Sequence, residues 1–189
     1  MLFNERAQFD LACRLRLKAV PLGEVFSFLS GLYFRGKLTY AQKFAQAPPT
    51  VPGTLVITSN RGVIDVTTPV TRKELELFST TPIDEADERY RRPLLREARR
   101  IAKRVDASCE IVLLGSIATK KYVEVLLEVF GERLLFPSEF VGRGDMSRGG
   151  LLLRAASDNE ELNYISVSGA VRHGTRPAKL TPRRYSTTG

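Results

Sequence analysis

Arg143, Asp145 and Arg148 stand close together in a stretch, residues 136–151, that also holds Gly142, Gly144, Gly149 and Gly150. Glycine lets a backbone take positive φ or approach a ligand closely, and arginine offers a planar fork to phosphate or carboxylate. Glu139, slightly upstream, adds a second acid beside Asp145. Two carboxylates in unlike surroundings can divide the roles of acid and nucleophile. A carboxylate also stabilises the oxocarbenium-like centre that forms when a glycosidic bond breaks. The expectation is an anion-binding loop over 138–148. Asp145 and Glu139 are its catalytic candidates, and Gly142, Arg143, Gly144 and Arg148 its ligand contacts. A simple loop ion pair would account for Arg143 and Asp145 as well.

Gly115-Ser-Ile-Ala-Thr-Lys-Lys121 lies between an apolar run and a helical pattern, and so has the outline of a P-loop. Lys120 occupies the place of the second glycine and Tyr122 that of the Ser/Thr, so the nucleotide-triphosphate motif is broken. A helix N-terminus that holds an anion or a sugar hydroxyl through Ser116, Lys121 and Tyr122 is the better reading. Its bland counterpart is an ordinary capped turn with solvated lysines. Tyr33, Phe34, Arg35 and Lys37 form an aromatic–basic group between Gly31 and Gly36. Tyr33 could stack a base and Arg35 hold a phosphate; equally, the rings could be core and the cations solvated. Ser59-Asn60-Arg61 ends a β-branched run, placing Asn60 and Arg61 where a substrate could be oriented. Arg92, Arg96, Arg99, Arg100 and Lys103 give one helix a dense basic face, suited to a phosphate backbone or simply solvated.

These residues need elements to place them. Helical spacing is expected over 5–18, over 22–30 and over 38–45, with Pro21 and the glycines as breaks. Residues 54–58 read as a buried strand, and 71–78 as a helix capped by Thr71 with Glu74 three residues on. A basic helix is expected over 91–105, the best strand of the chain over 110–114 and a helix over 119–130 stopped by Gly131. A strand over 133–136, a helix over 151–156 and a last strand over 162–167 follow. The fold class is α/β: a small, at least partly parallel sheet flanked by helices, with a helical N-terminal part, 1–47. One domain, 1–171, is expected, then a basic tail, 172–189. Ligands of open α/β sheets sit beyond the carboxyl ends of the strands. The turns at 59–61, 115–116 and 138–148 are therefore expected to converge on one edge.

The chain has 189 residues and a formal net charge of +8. A basic chain suits a nucleotide or nucleic acid as partner and says nothing of fold. No apolar run nears the length of a membrane span, and the first residues lack the order of a secretory signal. Cys13 and Cys109 read as small buried hydrophobes. One histidine, His173, and no paired-cysteine spacing argue against a metal site. The reading is a cytoplasmic protein with no cofactor and no bound metal.

Leu114-Gly-Ser-Ile-Ala-Thr119, Lys121-Tyr122-Val123 and Phe136 through Arg154 resemble a family of bacterial proteins without an assigned activity. That family shares the Gly-Ser-Ile-Ala-Thr turn and the Phe-Val-Gly-Arg-Gly-Asp-Met-Ser-Arg-Gly-Gly signature. The likeness reaches more loosely to residues 31–37 and 56–62. The order of elements is remotely similar to small α/β domains of nucleoside and deazapurine glycosyl-transfer enzymes, which implies glycosidase- or glycosyltransferase-like chemistry. The leading expectation is thus a protein that binds a nucleotide or nucleic-acid component and acts at its N-glycosidic bond. The alternative is a non-catalytic nucleic-acid-binding module of a larger bacterial complex, using Arg92 through Lys103.

Overall fold

The computed structural model describes residues 2–181; residues 182–189 of the expected tail lie outside it. Helix α1, Asp10–Leu17, turns Leu11, Ala12 and Leu15 inward. Its Arg14 grips Glu24 through two bonds of 2.5 and 2.7 Å. Strand β1, Val20–Pro21, leads into α2, Leu22–Phe44, which breaks at Gly31 with φ 56°. Beyond Gly31 the helix runs on through Gly36 without the second break that the glycine suggested.

The run at 54–58 becomes β2, Leu55–Thr58, and returns immediately as β3, Gly62–Asp65. The two pair antiparallel, Val56 opposite Ile64, and the Thr58 hydroxyl closes the turn by donating to the Gly62 carbonyl at 2.9 Å. Strand β4, Pro69–Val70, pairs with β1. Helix α3, Arg72–Thr80, starts with the capping box its sequence predicts: the Glu74 carboxylate accepts from the Thr71 amide at 2.8 Å. Asp87 caps α4, Glu88–Ala102, whose Tyr90, Leu94 and Ala98 are buried at helical spacing.

Strand β5, Ile111–Val112, precedes α5, Lys120–Phe130, and β6, Leu134–Pro137. β5 and β6 are the parallel pair of the structure, and β7, Tyr164–Ser166, adds antiparallel to β6. The expected strand over 110–114 is short: the Leu113 amide still donates to the Leu135 carbonyl at 2.8 Å, and the Leu114 carbonyl accepts from the Tyr33 hydroxyl at 3.3 Å. Cys13 and Cys109 are free and half-buried rather than core residues.

Among the described residues the architecture is therefore mixed α/β, with helices around three small sheets instead of one. Two apolar clusters fill it. One gathers α1, β1, β4, α3 and the first half of α2; the other gathers α4, α5, β6 and the last helix, α6, Asp145–Asp158. Helix α2 reaches both. Among the described residues no helix is long and apolar enough to cross a membrane.

The largest departure from the sequence reading is α6. The glycine-rich stretch is a loop only to Gly144; from Asp145 the backbone is helical, with Arg148 and Gly149 inside it. The reason is α2. A Cβ on Gly36 would lie 2.5 Å from the Gly149 carbonyl oxygen, and one on Gly149 would lie 2.8 Å from the Tyr33 Cα. The two helices cross backbone to backbone, which residues without side chains allow. The Lys43 ammonium then donates to the Ala156 carbonyl at 2.6 Å, at the end of α6 where cations are favoured.

Candidate functional site

That crossing decides which side chains meet. One turn of α2 carries Tyr33 and Lys37 on the face toward α6, while Arg35 is exposed. Helix α6 contributes Asp145 and Arg148, and α5 contributes Tyr122; the fields of these groups act on one another. The Gly115 turn borders the group, with the Tyr122 ring beside it. Two of the three expected turns, 115–116 and 138–148, thus meet at one place.

Arg148 is the centre of the cluster. Only 6% of its side chain is exposed. One terminal nitrogen donates to the Phe140 carbonyl at 3.2 Å, and the guanidinium lies 5.2 Å from the Phe140 ring centroid. Its contact with the Asp145 carboxylate is long, 3.8 Å, and Asp145 is 65% exposed. The Arg148 Nε is buried with no hydrogen-bond partner. A buried donor left unpaired costs free energy unless a ligand supplies an acceptor.

Lys37 lies with its Nζ 3.9 Å from the Tyr33 ring centroid and 5.9 Å from that of Phe34. Burial lowers its pKa to about 8, with Asp145 opposing the shift and Arg148 adding to it. The phenols of Tyr33 and Tyr122 are pushed upward, chiefly by burial, so both stay neutral donors. The cluster holds two cationic groups, one carboxylate at the rim and two phenols.

The depressed Lys37 has a stability consequence. The unfolded chain holds this proton up to the ordinary 10.5, the folded chain only to about 8. The desolvation penalty is therefore fully present below pH 8 and fades as pH rises from 8 toward 10.5. Lys37→Met is expected to stabilise the fold by roughly 1–2 kcal/mol at pH 7, discounted for partial solvent access. The gain should shrink through that window in a pH series of urea melts. A gain that is flat with pH would refute the assignment.

Other sequence candidates lie elsewhere. Asn60 and Arg61 form the β2–β3 turn, and Arg61 pairs with Glu74 at 2.8 Å. The 59–61 turn therefore does not join the other two: β2 returns as a hairpin and belongs to no parallel sheet. Arg143 donates to the Glu139 carbonyl at 3.0 Å and to Ser147 at 3.2 Å, which braces the turn before α6. The Glu139 carboxylate accepts from the Ser138 hydroxyl at 3.1 Å and acts on Tyr40. Asp145 instead acts on Tyr33, Lys37 and Tyr122, so the two acids serve different surroundings. Gly142, at φ 70°, lies against the Thr175 carbonyl, so residues 172–181 pack onto the body although they form no helix or strand. Gly144 is the exposed N-cap residue of α6. Ser116 is half-buried in the turn, and the Lys121 carbonyl accepts from the Tyr90 hydroxyl at 2.8 Å.

The basic face of α4 is partly neutralised within the chain. Arg99 and Arg91 share Glu128 at 2.9 and 2.6 Å, and Arg96 and Arg100 flank Glu97 at 2.9 and 3.6 Å. Arg92 faces Glu88 at 4.0 Å, and Arg92, Arg96 and Lys103 border an open groove along α4. On the face of α6 opposite the cluster, Arg143, Met146, Arg154, Arg176 and Lys179 border a cleft of about 310 Å³. No group of His, Cys, Asp or Glu among the described residues is arranged to hold a metal ion.

The sequence reading placed Lys37 in the aromatic–basic group with Tyr33 but gave it no role of its own. Its signal was present: Tyr33 and Lys37 are four apart, and so share a helix face that Arg35 leaves. Comparison of the chain with models of known protein families, with curated proteins and with solved structures finds no match.

Proposed function

We propose that the protein binds a phosphorylated nucleoside, free or within a nucleic acid, at the Tyr33–Lys37–Tyr122–Arg148 cluster and acts at its N-glycosidic bond. The observation that carries this reading is the buried Arg148 with an unpartnered Nε. A phosphate oxygen is the acceptor such a guanidinium lacks. The Tyr33 and Tyr122 rings offer the apolar faces that a base or sugar needs. Asp145, exposed at the rim and weakly paired to Arg148, remains available to a cation forming at the sugar.

Nucleoside 5′-monophosphates are expected to raise the melting temperature in proportion to their concentration over Kd and to release free base slowly. Asp145→Asn should cut base release about a hundredfold or more and change stability by less than about 1 kcal/mol. Chromatography of released base and parallel melts check both. Base release that continues at the wild-type rate in Asp145→Asn would remove the carboxylate from the reaction. Stabilisation by oligonucleotides alone, indifferent to substitutions in the cluster, would overturn the reading in favour of a nucleic-acid-binding surface elsewhere.

A further inference from the structure

Two of the lysine amines near the cluster are engaged. Lys43 donates to a carbonyl at 2.6 Å, and Lys120 pairs with Glu124 at 3.3 Å. Lys37 differs. Among the described residues no hydrogen bond or ion pair involves its Nζ; its close neighbours are the faces of Tyr33 and Phe34. It is only half-buried, so a ligand can reach it from solvent. A chain needing just a fixed positive charge there would be expected to pair it. An amine against aromatic rings and near a second cation is instead one whose lone pair can be freed, which is how lysines become nucleophiles.

We propose that Lys37 is a covalent catalyst: the cluster takes a sugar phosphate, with its phosphate on Arg148 and its C1 carbon on the Lys37 amine. The inference rests on the phosphate-binding role given to Arg148 above and adds a class of intermediate, an imine. The charged and titratable groups around Lys37 are Tyr33 on its own helix and Asp145 and Arg148 from α6; Tyr122 from α5 acts in turn on Tyr33 and with Asp145. Burial and Arg148 favour the neutral amine at mildly alkaline pH; Asp145 alone opposes it.

The step balances without an oxidant or reductant. The neutral Nζ attacks C1′ of a bound nucleotide, and the C1′–N bond breaks with its electron pair going to the base. The proton that Nζ loses passes by way of Asp145 to the departing base nitrogen. The sugar ring then opens: the C1′–O4′ bond breaks, O4′ takes the remaining N–H proton, and C1′ is left doubly bonded to Nζ. Water adds to this imine and releases the open-chain aldehyde phosphate and the free amine. A free aldose phosphate forms the same imine directly, with loss of water from its carbonyl.

Ribose 5-phosphate is therefore the probe, with sodium cyanoborohydride to reduce the imine to a stable secondary amine. Intact mass and peptide mapping of the full chain are expected to show one adduct, on Lys37. Its rate should rise between about pH 6.5 and about pH 8.5, and fall about tenfold in Arg148→Met or under excess inorganic phosphate. Lys37→Gln should abolish it. The wild-type peptide map decides the matter even if that variant folds poorly. Labelling spread over exposed lysines, or an adduct on any residue but Lys37, overturns the proposal. The two readings fail separately. Trapping on Lys37 without base release from nucleoside 5′-monophosphates upholds the amine and removes the glycosidic step. Base release that proceeds at the wild-type rate in Lys37→Gln removes the amine and leaves the glycosidic step standing.

Discussion

Gly149→Val is expected to destabilise the protein by about 3 kcal/mol or more, lowering its melting temperature by on the order of 10 °C. Any Cβ at 149 meets backbone, the Tyr33 Cα at 2.8 Å and the Leu32 carbonyl oxygen at 3.0 Å. Backbone cannot rotate out of the way as a side chain can, so α2 and α6 must separate. Replacing a helical glycine removes an intrinsic cost of up to about 1 kcal/mol. Lost packing around the buried Leu152 and Tyr40 outweighs that gain. Gly144→Ala is the control: its Cβ would meet nothing within 4 Å, and its effect should stay within about 1 kcal/mol. Thermal or urea melts of the pair decide the matter. A Gly149→Val protein that melts with the wild type would mean the helices do not cross as described.

Arg148→Met is expected to weaken binding of nucleoside 5′-monophosphates about 10- to 100-fold while leaving the fold within about 1 kcal/mol of wild type. Two effects oppose each other in the free protein. The Phe140 carbonyl keeps the Arg143 amide but loses its second donor, and the Phe140 ring loses its cation. Against that, a buried charge with an unsatisfied Nε is replaced by an apolar chain of similar length; such exchanges are often neutral or favourable. In the complex nothing offsets the loss. Arg148→Lys should recover only part of the affinity, because an ammonium lacks the planar fork. Titration calorimetry with parallel melts separates the cases. If Arg148→Met collapses the fold, or binds as well as wild type, Arg148 is a packing residue and the site loses its anchor.

The sequence was most legible where the deciding contacts are local. Thr71 and Glu74 lie three apart and make the capping box directly, and Gly131 ends α5 where the periodicity stops. Residues 145–150 were misread because the deciding partner is distant. Glycines lower helix propensity, and only the presence of α2 makes Gly149 a requirement of packing. The turn at 59–61 held a signal that was passed over. A short polar turn ending in Gly62, with apolar Val63 and Ile64 after it, is a hairpin pattern; reading 54–58 as a parallel strand placed Asn60 and Arg61 at an edge that does not exist. Residues 110–114 have the composition of a long strand, yet pairing also needs a partner, and the Tyr33 hydroxyl takes the Leu114 carbonyl. The Arg148 side of the site was legible from residue types. Lys37 required knowing which face of α2 is covered.

The backbone crossing of α2 and α6 also fixes when the protein can become whole. Lys43 and Ala156, which bond across it, are 113 residues apart in the chain. During synthesis α2 emerges early and must wait for most of the remaining sequence before its glycine face is covered. Contacts of such separation carry a large loop-closure cost and slow folding. Over that interval the uncovered half of α2 is a surface for chaperones or for aggregation, and Lys37 stays a solvated, ordinary amine. The surroundings that lower its proton affinity come only with α6.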